Sequence, residues 1–185
     1  TNPNCIAAGT VKNMKETLQR HNETLDQIQK SLEDYLETKR SAFPRFYFLS
    51  NDELLAILSQ TRDVQAVQPH LSKCFDAIKS LDFGTEEDSI DMFGMISVQG
   101  EQVKFSSTVS AVGNVENWLG DVEAMMRTTL YDTTKDCFAK YPAYDDATNR
   151  DEWLFGYPAQ PIISVDQIMW STNVERCIRE VGNGD

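Results

Sequence analysis

The chain has 185 residues, 41% of them hydrophobic, which is enough to bury a core as one domain or two small subdomains. Its formal net charge is −12, and its pI is near 4.6. This charge argues against nucleic acid or an anionic membrane as a partner, because both are bound through clustered Lys and Arg. No apolar run approaches the roughly 18 residues of a membrane span, so we predict a soluble chain.

The four cysteines are scattered along the chain. No two of them have the spacing of zinc ligands, and no signal peptide precedes them. We therefore predict reduced thiols in a cytosolic-type compartment. The residues are Cys5, Cys74, Cys137 and Cys177.

A long amphipathic helix is predicted from Thr10, its N-cap, to Lys39. Its apolar positions recur at alternating steps of three and four, the seam of a heptad repeat. At roughly 1.5 Å per residue the helix is about 43 Å long. Both a coiled coil and the spine of an elongated bundle fit this pattern. The seam consists of Val11, Met14, Leu18, His21, Leu25, Ile28, Leu32 and Tyr35.

The segment FPRFYFLSNDELLAIL, residues 43–58, predicts a corner between two helices. Pro44 ends the long helix by about Ala42, and residues 45–49 are expected to be extended. Ser50 and Glu53 form a capping box that starts a helix at Asn51. The aromatic side chains are expected to wedge between the helices. They are Phe43, Phe46, Tyr47 and Phe48.

The middle of the chain changes from a helical to a strand pattern. A helix is predicted over residues 64–80, followed by an acidic loop at 82–91. Residues 94–105 predict a β-hairpin with Gln99-Gly100 as a two-residue turn. In this register Val98 pairs with Glu101 and Ile96 with Val103. The apolar face of the hairpin must then lie on the helices, since an isolated hairpin is unstable.

The last third is predicted to be helical again. One helix runs from Asn114 to about Lys140, residues 141–150 form a loop, and a last helix begins near Val165. The apolar residues of the last helix are expected to lack a partner within the chain. We divide the chain into residues 1–81, 82–113 and 114–185. The predicted fold class is mainly α, an elongated helical bundle with one small β-hairpin.

Motifs for catalysis are missing from the sequence. It contains no P-loop and no GxGxxG fingerprint, and beside its two histidines it has no Ser or Cys in a nucleophile-elbow context. Asp145, Asp146, Asp151 and Glu152 cluster, but acidic loops in a protein with a net charge of −12 are usually solvated, so we predict no glycosidase-like or metal role for them. We predict no catalytic, cofactor-binding or metal site.

Residues 30–78, KSLEDYLETKRSAFPRFYFLSNDELLAILSQTRDVQAVQPHLSKCFDAI, resemble the linker region of dynein heavy chains, in the axonemal form. Weaker matches follow in the same order around the hairpin, at residues 113–119 and at residues 153–172. Gln99 stands where the family commonly has glutamate, and residues 169–172 fit the family pattern approximately. The resemblance identifies the chain as the middle part of the linker.

The resemblance implies a mechanical role without catalysis in this segment. A linker arches over a downstream AAA+ ring, which binds ATP and Mg²⁺, and transmits its shape changes to the tail. The implied partners are that ring, the rest of the linker and tail, and, through the full-length protein, microtubules and axonemal dynein subunits. Neither nucleic acid nor a membrane is expected. The implied location is the cytoplasm and the axoneme of a cilium or flagellum.

Two further interpretations remain open. The seam of the long helix would also suit a free-standing helical adaptor that binds a partner helix and dimerises. Lys39, Arg40 and Arg45 are candidates for contacting the ring or a second linker segment, because positive charge is scarce here; pairing with nearby carboxylates is the alternative.

A hinge is expected within residues 82–105, where helical periodicity breaks.

Overall fold

The computed structural model describes residues 9, 13–59, 63–86, 89–142 and 147–182. The fold is mainly α with one small antiparallel sheet, which confirms the predicted class. Two 3₁₀ helices span Pro44–Phe48 and Val64–His70. The α-helices are α1 (Met14–Ala42), α2 (Asn51–Ser59), α3 (Leu71–Cys74), α4 (Val115–Ala139), α5 (Ala147–Gly156) and α6 (Ala159–Gly182), and the strands are β1 (Ile78–Asp82), β2 (Asp91–Ser97) and β3 (Gln102–Ser110).

The long first helix is present as α1, with the predicted start at residues 10–12 lying outside the described residues. It ends where Phe43 becomes extended and donates its N–H to the Lys39 carbonyl. All residues from 15 to 35 are exposed, including Leu25 at 61%, whereas Leu36 is fully buried. The predicted seam is therefore unpacked within the described chain, and α1 joins the core through its last two turns.

Residues 45–49 were expected to be extended, and this prediction is wrong. They belong largely to the 3₁₀ helix Pro44–Phe48, in which the Phe46 N–H bonds the Phe43 carbonyl at 3.0 Å. Proline at the first position favours this because its fixed φ suits a helical turn and its missing N–H is not needed there.

The single helix predicted over residues 64–80 is also wrong. The chain forms a 3₁₀ helix, the short α3 and then β1. Pro69 removes an amide that a continuous helix needs. The Gln68 amide group bonds both the N–H and the carbonyl of Leu81, each at 2.9 Å, so it serves the edge strand as a neighbouring strand would. Residues 78–82 form a strand because they pair with β2. The pattern of residues within the segment does not reveal that pairing.

The predicted hairpin exists, but it belongs to a three-stranded sheet in the order β1-β2-β3. Its register differs from the prediction by one residue, since Met95 and not Ile96 lies opposite Val103. Met95 and Phe105 are buried in the core. The inward face of β2 therefore carries Met95 and not Ile96. The predicted two-residue turn is also wrong, since residues 98–101 connect the strands and the Ser97 N–H donates to the Glu101 carbonyl at 2.8 Å.

Two hydrophobic clusters organise the described chain. The main core joins the end of α1, the corner, the sheet and the first half of α4 through residues such as Phe46, Leu54, Met92, Trp118 and Val122. The second core consists of Cys137, Trp153 and Val165, with half-buried residues around them. The Trp153 Nε1–H donates to the Cys137 carbonyl at 2.9 Å, which fixes α5 against the end of α4.

The C-terminal third differs from its prediction in two places. α4 matches its predicted bounds, but residues 147–156, expected to be loop or connection, form α5, and α6 begins at Ala159 and not near Val165. The start of the last helix was predicted too late, after Pro161. A proline in the first turn of a helix costs no hydrogen bond, so the helix can begin before it. Residues 143–146 of the predicted loop lie outside the described residues.

Replacing Gly94 by alanine is expected to destabilise the fold by about 1–3 kcal/mol, because an added Cβ would lie 2.6 Å from the Val103 carbonyl oxygen across the sheet. Urea denaturation measures the change. Gly120→Ala in α4 is the control, since nothing lies within 4 Å of its Cβ position and alanine favours a helix by up to about 1 kcal/mol. Equal stability of the two variants would contradict the close packing at Gly94.

Candidate interface at the aromatic corner

The aromatic corner splits into a buried half and an exposed half. Phe43 and Phe46 are buried and meet edge to face with centroids 5.0 Å apart, and Phe75 lies 6.3 Å from Phe43. Tyr47 and Phe48 are 55% and 70% exposed. The first pair therefore fills the expected wedge in the main core, and the second pair faces outward.

The predicted capping box is present at the start of α2. The Ser50 N–H donates to Glu53 Oε2 at 3.0 Å, and the Glu53 N–H donates to Ser50 Oγ at 3.3 Å. Lys73 pairs with the same carboxylate. The Lys73 ammonium, followed by the Ser50 donors, lowers the pKa of Glu53 to about 2.

Lys39 lies at the base of α1 and pairs with Glu116 in the first turn of α4, with Nζ 2.5 Å from Oε1. The hydrogen bond to Glu116 raises the pKa of Lys39. Glu116 is 7% exposed, and its Oε2 lacks a hydrogen-bond partner among the described residues. A carboxylate in the first turn is also favoured by the helix dipole. This contact ties the end of α1 to the start of α4.

Arg40 contacts the corner itself. Its guanidinium donates to the Leu49 carbonyl at 3.1 Å and to Asn51 Oδ1 at 2.8 Å. These bonds link α1 to both ends of the segment that joins the 3₁₀ helix to α2. Arg40 thus helps to fix the angle of the corner.

Arg45 is the most connected of the three predicted cations. It bonds both carboxylate oxygens of Glu123 at 3.1 and 3.3 Å and donates to the Cys74 carbonyl at 2.9 Å. Its guanidinium also lies 4.7 Å from the centroid of Phe75. The Arg45 hydrogen bonds lower the pKa of Glu123.

The acidic partners Glu116 and Glu123 were not predicted. They are seven residues apart on α4, and at 100° per residue this spacing places both on one face. Two carboxylates seven residues apart on a predicted helix were the sequence signal that could have indicated these partners. We call the two contacts, Lys39–Glu116 and Arg45–Glu123, the corner clamp. It holds the corner against α4, and contact of its cations with another part of a larger protein stays a prediction.

Two exposed apolar stripes remain outside the clamp. One is the seam of α1. The other lies on α6, whose buried Pro161 and Val165 face the second core. At 100° per residue the stripe is on the opposite side of the helix. It consists of Ile163, Trp170, Val174, Ile178 and Val181.

The described residues contain no cluster of His, Cys, Asp or Glu able to hold a metal ion. Within the same part of the chain, no helix has the length and hydropathy needed to cross a membrane. Cys74 and Cys137 are buried free thiols and Cys177 is exposed, while Cys5 lies outside the described residues.

Arg45→Lys is expected to lower the free energy of unfolding by about 1–3 kcal/mol, because lysine cannot bond Glu123 twice and also reach the Cys74 carbonyl. Arg127→Lys is the control, since Arg127 bonds the same carboxylate from a 76% exposed position and such pairs contribute at most about 0.5 kcal/mol. Chemical denaturation at pH 7 compares them. Equal losses would show that Arg45 is an ordinary surface cation.

Glu53 is expected to make stability depend on pH. Its pKa in the folded chain is about 2, below the ordinary value near 4.3. The contribution of Glu53 to the free energy of unfolding is therefore complete when the pH is above its ordinary pKa, and it is lost as the pH falls toward 2. The stability difference between the native chain and Glu53→Gln should shrink over that range in acid titrations of unfolding. In a Lys73→Met background this pH dependence of stability should be weaker. An unchanged pH dependence would show that the Glu53–Lys73 pair is not its cause.

Comparison with known proteins gives a consistent result. Residues 1–137 match the family profile described as "Dynein heavy chain, N-terminal region 2". The chain is 46% identical to human dynein axonemal heavy chain 6 over 95% of its length and 44% identical to mouse dynein axonemal heavy chain 2 over the same share. Mouse dynein axonemal heavy chain 1 is 44% identical over 91% of the chain. The chain spans about 4% of the length of each of these relatives. The chain belongs to the dynein heavy chain family.

Proposed function

We propose that the chain is the middle part of the linker of an axonemal dynein heavy chain and acts as a mechanical lever segment. The observation that carries this proposal is the attachment of α1. Its 21 residues from 15 to 35 are exposed, whereas Leu36, Lys39 and Arg40 at its base are fixed to the core, to Glu116 and to the corner. An arm that is stiff along its length and locked at its base transmits force from one end to the other.

The partners follow from the family of motor proteins. In this proposal the segment responds to a downstream AAA+ ring that binds ATP and Mg²⁺, and passes the motion to the rest of the linker and the tail. Microtubules and other axonemal dynein subunits are contacted through the full heavy chain. The segment itself performs no catalysis, and it works in the axoneme of a cilium or flagellum.

The exposed stripes of α1 and α6 are proposed to dock on further helices of the same heavy chain. The relatives are about 25 times longer than the chain, so most of such a protein lies outside these residues. One flank of the α1 seam is a row of small hydroxyl residues. Three of their hydroxyls donate to carbonyls four residues back in the same helix, which leaves a neutral surface for close packing. They are Thr24, Ser31 and Thr38.

A helical adaptor remains the second candidate, because the described part of the α1 seam, which it would use, is exposed. It requires dimerisation through α1. Two copies with a net charge of −12 each repel one another, and the neutral flank offers no charge pairs to offset that repulsion. Sedimentation equilibrium separates the candidates. A monomer supports the lever, and a dimer that Leu25→Asp dissociates supports the adaptor.

Breaking the corner clamp is expected to uncouple the motor. In the full-length heavy chain, Lys39→Ser with Arg45→Ser should lower the velocity of microtubule gliding at least about twofold, because a loosened lever loses part of its stroke. ATP turnover should persist. Arg127→Ser, which removes an exposed partner of Glu123, is the control and should glide at the normal velocity. Unchanged gliding by the clamp variant, with the variant shown to be folded, would contradict the lever.

The hinge predicted within residues 82–105 is tested by hydrogen exchange, and protection equal to that of α1 would refute it. The packing there differs from the premise of the prediction. Phe83, Met92, Met95 and Phe105 are buried in the main core, so this region is not sparsely packed. Exchange is expected to be fast in the exposed turn at residues 98–101 and slow in the paired strands.

A further inference from the structure

The turn between β2 and β3 is held in a defined shape. The Ser97 N–H donates to the Glu101 carbonyl at 2.8 Å, and the Glu101 N–H donates to Ser97 Oγ at 3.0 Å. Gly100 has a φ of 89°, a left-handed conformation that glycine adopts without strain. These contacts fix the backbone of Glu101 at the tip of the hairpin.

The side chain of Glu101 reaches a distant helix. Its Oε1 accepts a hydrogen bond of 2.8 Å from the backbone N–H of Ala159, the first residue of α6 and 58 positions further along the chain. The first turn of a helix has free N–H groups that favour a carboxylate. Pro161 has none, so Ala159 and Gln160 carry the first two of them. Glu101 therefore caps α6 from outside the helix.

This cap bridges the two hydrophobic clusters. Glu101 extends from the sheet of the main core, and α6 packs on α4 through the second core. Between the clusters, the six residues 131–136 of α4 contribute no buried side chain. Among the described residues, the cores are linked through this lightly packed stretch, where the Tyr157 hydroxyl donates to Asp136 Oδ2 at 2.7 Å, and through the Glu101–Ala159 contact.

We propose that the hairpin turn is a latch, in which Glu101 sets the direction of α6 relative to the sheet. When the Glu101 carboxylate holds the Ala159 N–H, the second core keeps one orientation relative to the main core. When it releases, α6 turns with the second core about residues 131–136. The inference goes beyond the proposed lever and does not depend on it, because it concerns two parts of this chain.

A distance measurement between the sheet and α6 tests the latch. One spin label is placed at Lys104→Cys on β3 and one on the natural Cys177, which is exposed on α6. Cys5→Ser removes a competing thiol. Burial raises the pKa of Cys74 to about 11 and also raises the pKa of Cys137. Because the thiolate is the reactive form, these two buried cysteines are protected from labelling.

Glu101→Ala is expected to broaden or shift the distance distribution measured by double electron–electron resonance. Exchange of the Ala159 amide should accelerate at least about tenfold. Gln99→Ala in the same turn is the matched control and should behave as the native chain. Identical distributions for the native chain and Glu101→Ala, or equal changes in both variants, would overturn the latch.

A second variant removes the other half of the contact. Ala159→Pro deletes the donor N–H at the first position of α6, where proline is well tolerated in a helix. Alone it should reproduce the distribution of Glu101→Ala, and in the Glu101→Ala background it should add nothing. Additive effects of the two substitutions would overturn the proposal, since they would show that Glu101 and Ala159 act separately. A failure of the lever in gliding assays would leave this result unaffected.

Discussion

The clamp between the corner and α4 is the constraint on which the rest of the structure depends. Lys39 and Arg45 bind two carboxylates on one face of α4, one at its first turn and one two turns later. Buried or partly buried pairs of this kind are costly to break singly, because the remaining charge has lost its water. They therefore specify one position of α1 on the core more strongly than they add to stability.

The packing divides the molecule into parts with different mechanical properties. The main core, with the sheet between the corner and α4, is densely apolar and contains buried residues from each of its elements. The second core is small and is joined to the first through α4 and through the turn at Glu101. Close-packed interiors move as units, whereas lightly packed junctions bend. We therefore expect bending between the cores, as the proposed latch requires.

Several polar side chains join separate elements of the chain. Arg45 joins a carboxylate, a carbonyl and an aromatic ring, and Gln68 completes the edge of β1 as a neighbouring strand would. Cys74 and Cys137 are buried thiols whose raised pKa values make them poor nucleophiles. Directed contacts of this kind among the elements of the chain support the proposed role as a lever segment.

The sequence by itself determined the long helix, the aromatic corner with its capping box, the existence of the hairpin and the family, because each depends on residues close together in the chain. Tertiary structure decided the rest. β1 exists because β2 and Gln68 satisfy its backbone groups, the hairpin register follows from Met95 entering the core, and the clamp pairs residues 77 and 78 positions apart. Local patterns record propensity and periodicity, but they do not record which distant partner removes a group from water.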